Sequence, residues 1–138
     1  AVLCSKISAH LPEKLAKIIQ YLYQREDHIF HSSQASTAIT LIFDECELET
    51  VEKIINPEYT IYSKKGCAAI KIISPMGIVD QPGIFAYILN LLANVGINLL
   101  SVSVSNTEMM LLVDRKDEVK AFDVLKNEID RLRKIASA

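Results

Sequence analysis

Apolar residues recur along this chain with two periods, and the changes between them mark out the elements. Cys67 to Ser74 is a short apolar run, which predicts a buried strand. Pro82 to Asn94 carries Ile84, Ile88, Leu91, Leu92 and Val95 at helical spacing, and Gly96 ends that helix. Leu99 to Ser105 alternates. Leu100, Val102 and Val104 point one way and Ser101, Ser103 and Ser105 the other, the mark of a half-buried strand. Asn106-Thr107 turns the chain, and Glu108 to Asp114 returns as a strand with Met109, Leu111 and Val113 inward. Asp117 to about Ile135 is a charged helix with Val119, Phe122, Leu125, Ile129 and Leu132 on one face. The order is β-α-β-β-α.

The first half repeats this order. Val2 to about Ile7 predicts a strand, and Pro12 to Arg25 a helix with Leu15, Ile18, Ile19 and Leu22 on one face. Ile29 to Ser33 and Ala38 to Phe43 form a strand pair, and Glu45 to Ile55 a second helix that Asn56-Pro57 stops. Glu58 to Ser63 adds a fourth strand, giving β-α-β-β-α-β, the ferredoxin-like arrangement. A shift of 70 residues, the offset from Pro12 to Pro82, aligns the halves without a gap from Leu11 to Asp44. Ala16 then meets Ala86, Ile18 meets Ile88, Leu22 meets Leu92, Leu41 meets Leu111 and Asp44 meets Asp114. Two copies of one supersecondary unit follow. The fold expected is α+β: two ferredoxin-like modules, 1–63 and 64–138, with antiparallel sheets and helices on one face. Lys64-Lys65-Gly66 is the linker candidate. The second copy has no clear fourth strand, because Asp130-Arg131-Leu132-Arg133 reads as helix. Its sheet takes a strand from the first copy or leaves an edge open for a partner.

Composition narrows the function classes. The 138 residues are 50% hydrophobic and 23% charged, the balance of a folded chain. A net charge of −2 argues against a nucleic-acid surface, which needs a basic field. No apolar run approaches a membrane span and no signal peptide is visible. Cys4, Cys46 and Cys67 are odd in number and widely spaced. They read as free thiols in apolar or strand-like context, in a reduced, cytoplasmic protein. A start at Ala1 suggests an excised piece or processing.

The stretch Met76 to Phe85, followed by Asn94 to Asn98, carries the candidate chemistry. A strand ends in a tight turn and a helix opens on Pro82-Gly83. Proline suits a first helical position, glycine lets a ligand approach the backbone, and the free N–H groups of the first turn suit a carboxylate. The plainer reading is a helix start only. His28 and His31, with His10 upstream, do not make a metal site: His-x-x-His on a strand puts the rings on opposite faces, and no second ligand pair follows. No cofactor is implied. Ser101, Ser103 and Ser105 share a face but lack a base, so they face an interface or solvent. Lys64, Lys65, Arg131, Arg133 and Lys134 are too few and too mixed with acids for a nucleic-acid groove.

Asp80-Gln81-Pro82-Gly83-Ile84 followed by Ala93-Asn94-Val95-Gly96-Ile97-Asn98 resembles an ACT domain, the amino-acid-sensing module of many biosynthetic enzymes. With Ser101 to Asn106, Glu108 to Asp114 and Val119 to Phe122, the chain is similar to the carboxy-terminal regulatory region of aspartate kinases, which holds two such modules in tandem. The resemblance is good over Gly66 to Ile129. Over Val2 to Ile55 it rests mainly on the repeat. It implies allosteric regulation by a free amino acid, lysine or threonine, bound between paired modules. By position, the turn comprises Met76, Gly77, Ile78, Val79, Asp80, Gln81, Pro82 and Gly83, with Ile84 after it. Asn98, Leu99, Leu100 and Ser101 supply the start of the second strand. Asp80 or Gln81 would read the effector's ammonium or side chain, and N–H groups near Gly83 and Ile84 its carboxylate. The first copy has Glu13 in place of Gly83 and His28 in place of Asn98, so it is structural or forms a different site. The family's kinase motifs are absent, which places a catalytic domain on a longer parent chain or a separate one. A homodimer through the modules is expected. The alternatives are a purely structural dimerisation module, an acylphosphatase-like enzyme, which lacks an Arg in its loop here, and an RNA-binding module, which lacks aromatic residues on its central strands.

Overall fold

A computed structural model of the chain describes residues 1–26, 28–73 and 81–136. The chain forms two compact units, Ala1–Gly66 and Cys67–Ala138. In the first, β1 (Val2–Lys6) leads to α1 (Leu11–Tyr23), then β2 (Phe30–Gln34), β3 (Ala38–Phe43), α2 (Leu48–Ile55) and β4 (Thr60–Lys64). Short 3-10 turns, Glu45–Glu47 and Pro57–Tyr59, lead into α2 and β4. The sheet is antiparallel in the order β2-β3-β1-β4, with Leu3 opposite Leu41 and Ser63. Leu3, Ile39, Leu41 and Phe43 from the strands join Leu11, Ile18 and Leu22 of α1 and Leu48, Val51 and Ile55 of α2 in one core. Both helices therefore cover the same sheet face. Ile19, expected on the inner face of α1, is 38% exposed: the apolar stripe is wider than the strip of helix that the sheet covers.

The second unit runs β5 (Cys67–Ile73), α3 (Ile84–Asn94), β6 (Leu99–Val104), β7 (Glu108–Asp114) and α4 (Glu118–Ala136). Its sheet has the order β5-β7-β6, again antiparallel. Ile88 and Leu92 of α3, Leu111 and Val113 of β7, and Ala121 and Leu125 of α4 form its core. The repeat holds in three dimensions: β3 and β7, and the starts of α2 and α4, are 70 residues apart.

The two units differ where α2 and α4 end. The α2 helix stops at Asn56, which adopts φ 80° and accepts a hydrogen bond from the Glu58 N–H at 3.1 Å. Pro57 follows and cannot continue a helix. The chain folds back, and β4 pairs with β1. The counterparts in α4 are Lys126 and Asn127, which have no such veto, so that helix runs on to Ala136. Among the described residues, the second sheet has no fourth strand, and β5 forms its edge.

The inner face expected for α4 needs correction. Ala121 and Leu125 are buried, but Val119 and Phe122 are 71% and 52% exposed, and Leu132 is exposed with them. Cys46, expected in apolar or strand-like context, lies exposed in the 3-10 turn before α2; Cys4 and Cys67 are partly buried on strands. No helix among the described residues is long and apolar enough to cross a membrane.

Candidate functional site

Four residues, 7–10, join β1 to α1, whereas ten, 74–83, join β5 to α3. The second unit thus has the longer connection at the place where the sequence puts its chemistry. Met76, Gly77, Ile78, Val79 and Asp80 lie outside the described residues. Gln81, Pro82 and Gly83 are exposed, and Ile84 is half-buried.

The helix does not open on Pro82, as expected. It begins at Ile84 with Gly83 as its N-cap, at φ 80° and ψ −2°. Gln81-Pro82-Gly83-Ile84 is a turn with proline second and a left-handed glycine third, the residue types a type II turn demands. The Ile84 N–H points back to the Gln81 carbonyl at 3.5 Å, and the Tyr87 N–H donates to the Gly83 carbonyl at 2.9 Å. The donors left for a ligand are therefore Phe85 and Ala86, which meet no backbone acceptor among the described residues. A side chain at 83 would meet nothing within 4 Å, so glycine is needed there for its backbone angle and not for space.

At its other end α3 closes in a Schellman motif. The Ile97 N–H donates to the Leu92 carbonyl, and the Gly96 N–H, at φ 76°, to the Ala93 carbonyl, both at 3.0 Å. This sets Asn98 exposed at the mouth of β6. The first residues of β6 are bulged: Leu99 pairs with Val113 but Ser101 with Leu112, leaving Leu100 as the extra residue. Leu99, not Leu100, therefore packs against the core, against the plain alternation expected. A bulge re-aims side chains next to it, here Asn98 to Ser101.

The described ends of β5 and β6 lie apart within the unit. β5 and β6 run the same way, each antiparallel to β7. Ile73, where the long loop leaves the sheet, lies opposite Glu108; Leu99 lies opposite Val113. Those partners are five residues apart on β7, about 17 Å. The helix between, eleven residues and about 16 Å long, spans the same length. The start of α3 and the start of β6 thus stand about a sheet's length apart within one unit.

The remaining candidates fall elsewhere. His28 lies before β2, with Nδ1 3.1 Å from the Arg25 carbonyl and its ring edge-on to Tyr23; His31 lies within β2. Among the described residues no three His, Cys, Asp or Glu side chains cluster as metal ligands would. Sequence reasoning missed the polar clasps across each helix pair. In the first unit, buried Glu47 is ion-paired with Arg25 and accepts from the Tyr21 hydroxyl at 2.7 Å. In the second, Glu128 of α4 accepts from the Tyr87 hydroxyl of α3 and from Arg131, whose Nη2 lies 2.6 Å away. The Arg131 guanidinium first, then the Tyr87 hydroxyl, hold the Glu128 carboxyl down at about 2, while the same contacts raise Arg131. A depressed carboxyl pKa contributes stability above its unfolded value and loses it as pH falls through the folded one. The clasp is thus expected to survive mild acid and to open only as pH approaches 2. A carboxyl-carbon NMR titration in which Glu128 ionises with its exposed neighbours near 4 would contradict this.

Residues 62–127 match the family model described as ACT domain. The match lies almost wholly within the second unit. No curated protein sequence matches the chain. Among solved structures, it is similar to aspartate kinase from Synechocystis, at 25% identity and TM-score 0.69, over 92% of this chain and 24% of that one. It also matches aspartokinase alpha and beta subunits, at 15% identity and TM-score 0.70, over 94% of this chain and 91% of that one. The ligand-free regulatory subunit of aspartate kinase from Thermus thermophilus matches at 14% identity and TM-score 0.63, over 91% and 89%. The two units together resemble an aspartate kinase regulatory region, and the longer connection from first strand to first helix is in the second unit, where the ACT match lies.

Proposed function

We propose that this chain is an amino-acid-binding regulatory module, with lysine or threonine as effector, that controls an aspartate kinase catalytic domain on its parent chain or on a separate one. It acts by shifting the arrangement of modules. One observation carries this reading: the end of β5, which residues 74–83 join to α3, and the bulged strand start at Asn98 sit at opposite ends of one sheet. An antiparallel partner across the β6 edge brings opposite ends together. The loop of one copy would then face the strand start of the other, and a zwitterion would bridge them. Phe85 and Ala86 offer N–H donors to its carboxylate, while Asp80 or Gln81 and the Asn98 side chain read its ammonium and side chain. A ligand that bound paired and unpaired copies equally would regulate nothing, so its whole effect is preference for the pair. The first unit, with its four-residue connection and Glu13 in the first turn of α1, is structural in this scheme.

Calorimetric titration with the proteinogenic amino acids tests the proposal. Lysine or threonine is expected to bind, and Asn98→Ala to weaken binding about tenfold or more, the loss of a hydrogen bond to a charged group. Asp80→Ala with Asn98→Ala should abolish it. A chain that binds none of them but still pairs would be a structural dimerisation module instead.

A further inference from the structure

We propose that the outward face of α4 packs antiparallel against the same face of a second copy of this chain. This pairing is independent of the effector and uses the opposite side of the sheet from the β6 edge. It starts from the absence of an Asn-Pro stop at 126–127. α4 therefore runs on as helix, and residues 131–135 at its end are exposed. Val119, Phe122, Lys126, Ile129 and Arg133 follow one another at spacings of three and four and so share a face, flanked by Asp123 and Asp130. Val119 and Phe122 are more than half exposed. Cavities of about 460 and 300 Å³ open on the two sides of Phe122, floored by β5. β5 carries only Lys71 as a charge against pairing, which is little protection for an edge.

Charge names the occupant. Among the described residues, none of Asp123, Lys126, Asp130 and Arg133 has an ion-pair partner within its own chain. Asp123 and Arg133 are equally far from Glu128 along the helix, and so are Lys126 and Asp130. Two copies of α4 crossing antiparallel at Glu128 thus set Asp123 against Arg133 of the second copy, and Lys126 against its Asp130. The two-fold doubles both pairs. A parallel pair would set like charges together. Phe122 of each copy then has a cavity beside the neighbouring α4 to enter, the place where an aromatic anchor contributes most.

Sedimentation velocity on the whole chain without amino acids tests this, from micromolar to submillimolar concentration. A dimer is expected. Phe122→Asp should weaken it about a hundredfold, and Asp123→Arg or Arg133→Asp alone about tenfold or more. The double variant Asp123→Arg with Arg133→Asp should recover to within about threefold of the parent, because the reversed charges again face each other. All three positions are exposed, and far-UV circular dichroism checks that α4 persists. A monomer at every concentration overturns the proposal. So does a dimer that Phe122→Asp leaves intact, or charge reversals that the double variant does not rescue. Asp80→Ala with Asn98→Ala, which abolishes effector binding in the scheme above, should leave this dimer unchanged, so the two readings fail separately.

Discussion

Replacing Lys126-Asn127 by the Asn-Pro pair found at 56–57 is expected to end α4 near Leu125 and to cost the second unit about 3 kcal/mol. A proline at 127 removes the helical N–H at that position and drives its ring against the carbonyl of Asp123. Everything beyond loses its helical template, including Glu128 and Arg131. With them goes the clasp to Tyr87, which ties the far half of α4 to α3. In the first unit the same dipeptide ends α2 and sends the chain back as β4. Far-UV circular dichroism should lose the helix of the distal part of α4, and the denaturant midpoint of the second unit should fall. An unchanged helical signal and midpoint would show that Pro57 is not what separates the two topologies.

Leu111→Ala is expected to destabilise the second unit by about 2–5 kcal/mol, and Leu41→Ala the first by a similar amount. Leu111 is fully buried on the central strand β7, between Ile70 of β5 and Val102 of β6. Leu41 holds the corresponding place on β3, between Leu3 and Ser32. Truncation leaves a cavity under two helices in each case, and neither site can collapse without moving strands on both sides. Hydrogen exchange read separately on β3 and β7 would localise each loss. If Leu111→Ala loosened β3 as much as β7, the two units would not be separate cooperative bodies.

Much of the fold was legible, for physical reasons. β3 and β7 fall where the alternation and apolar runs put them, because central strands have both edges paired and one sharp turn at each end. The 70-residue repeat was legible too, since it is a property of residue order. The start of α3 was not. Proline's fixed φ suits a first helical position and the second position of a turn equally well, and only the left-handed Gly83 distinguishes them. The bulge at Leu99–Ser101 left no trace in an otherwise regular alternation. Val119 and Phe122 obey helical periodicity, yet lie outside the core, because periodicity tells which residues share a face and not which face is covered. The clasps of Tyr21 with Glu47 and of Tyr87 with Glu128 join residues 26 and 41 apart, beyond any local pattern.

By itself, the order of residues determined two related βαββα units, an early stop for the second helix in one of them, and a Pro-Gly turn leading into the first helix of the other. Those are local matters of backbone preference and apolar spacing. Only the folded chain decided that the starts of α3 and β6 stand a sheet's length apart, and that α4 turns an apolar, doubly charged face away from its own core. Both depend on strand direction and on which neighbour arrives first at each surface, and these are fixed by pairing between residues far apart in the chain.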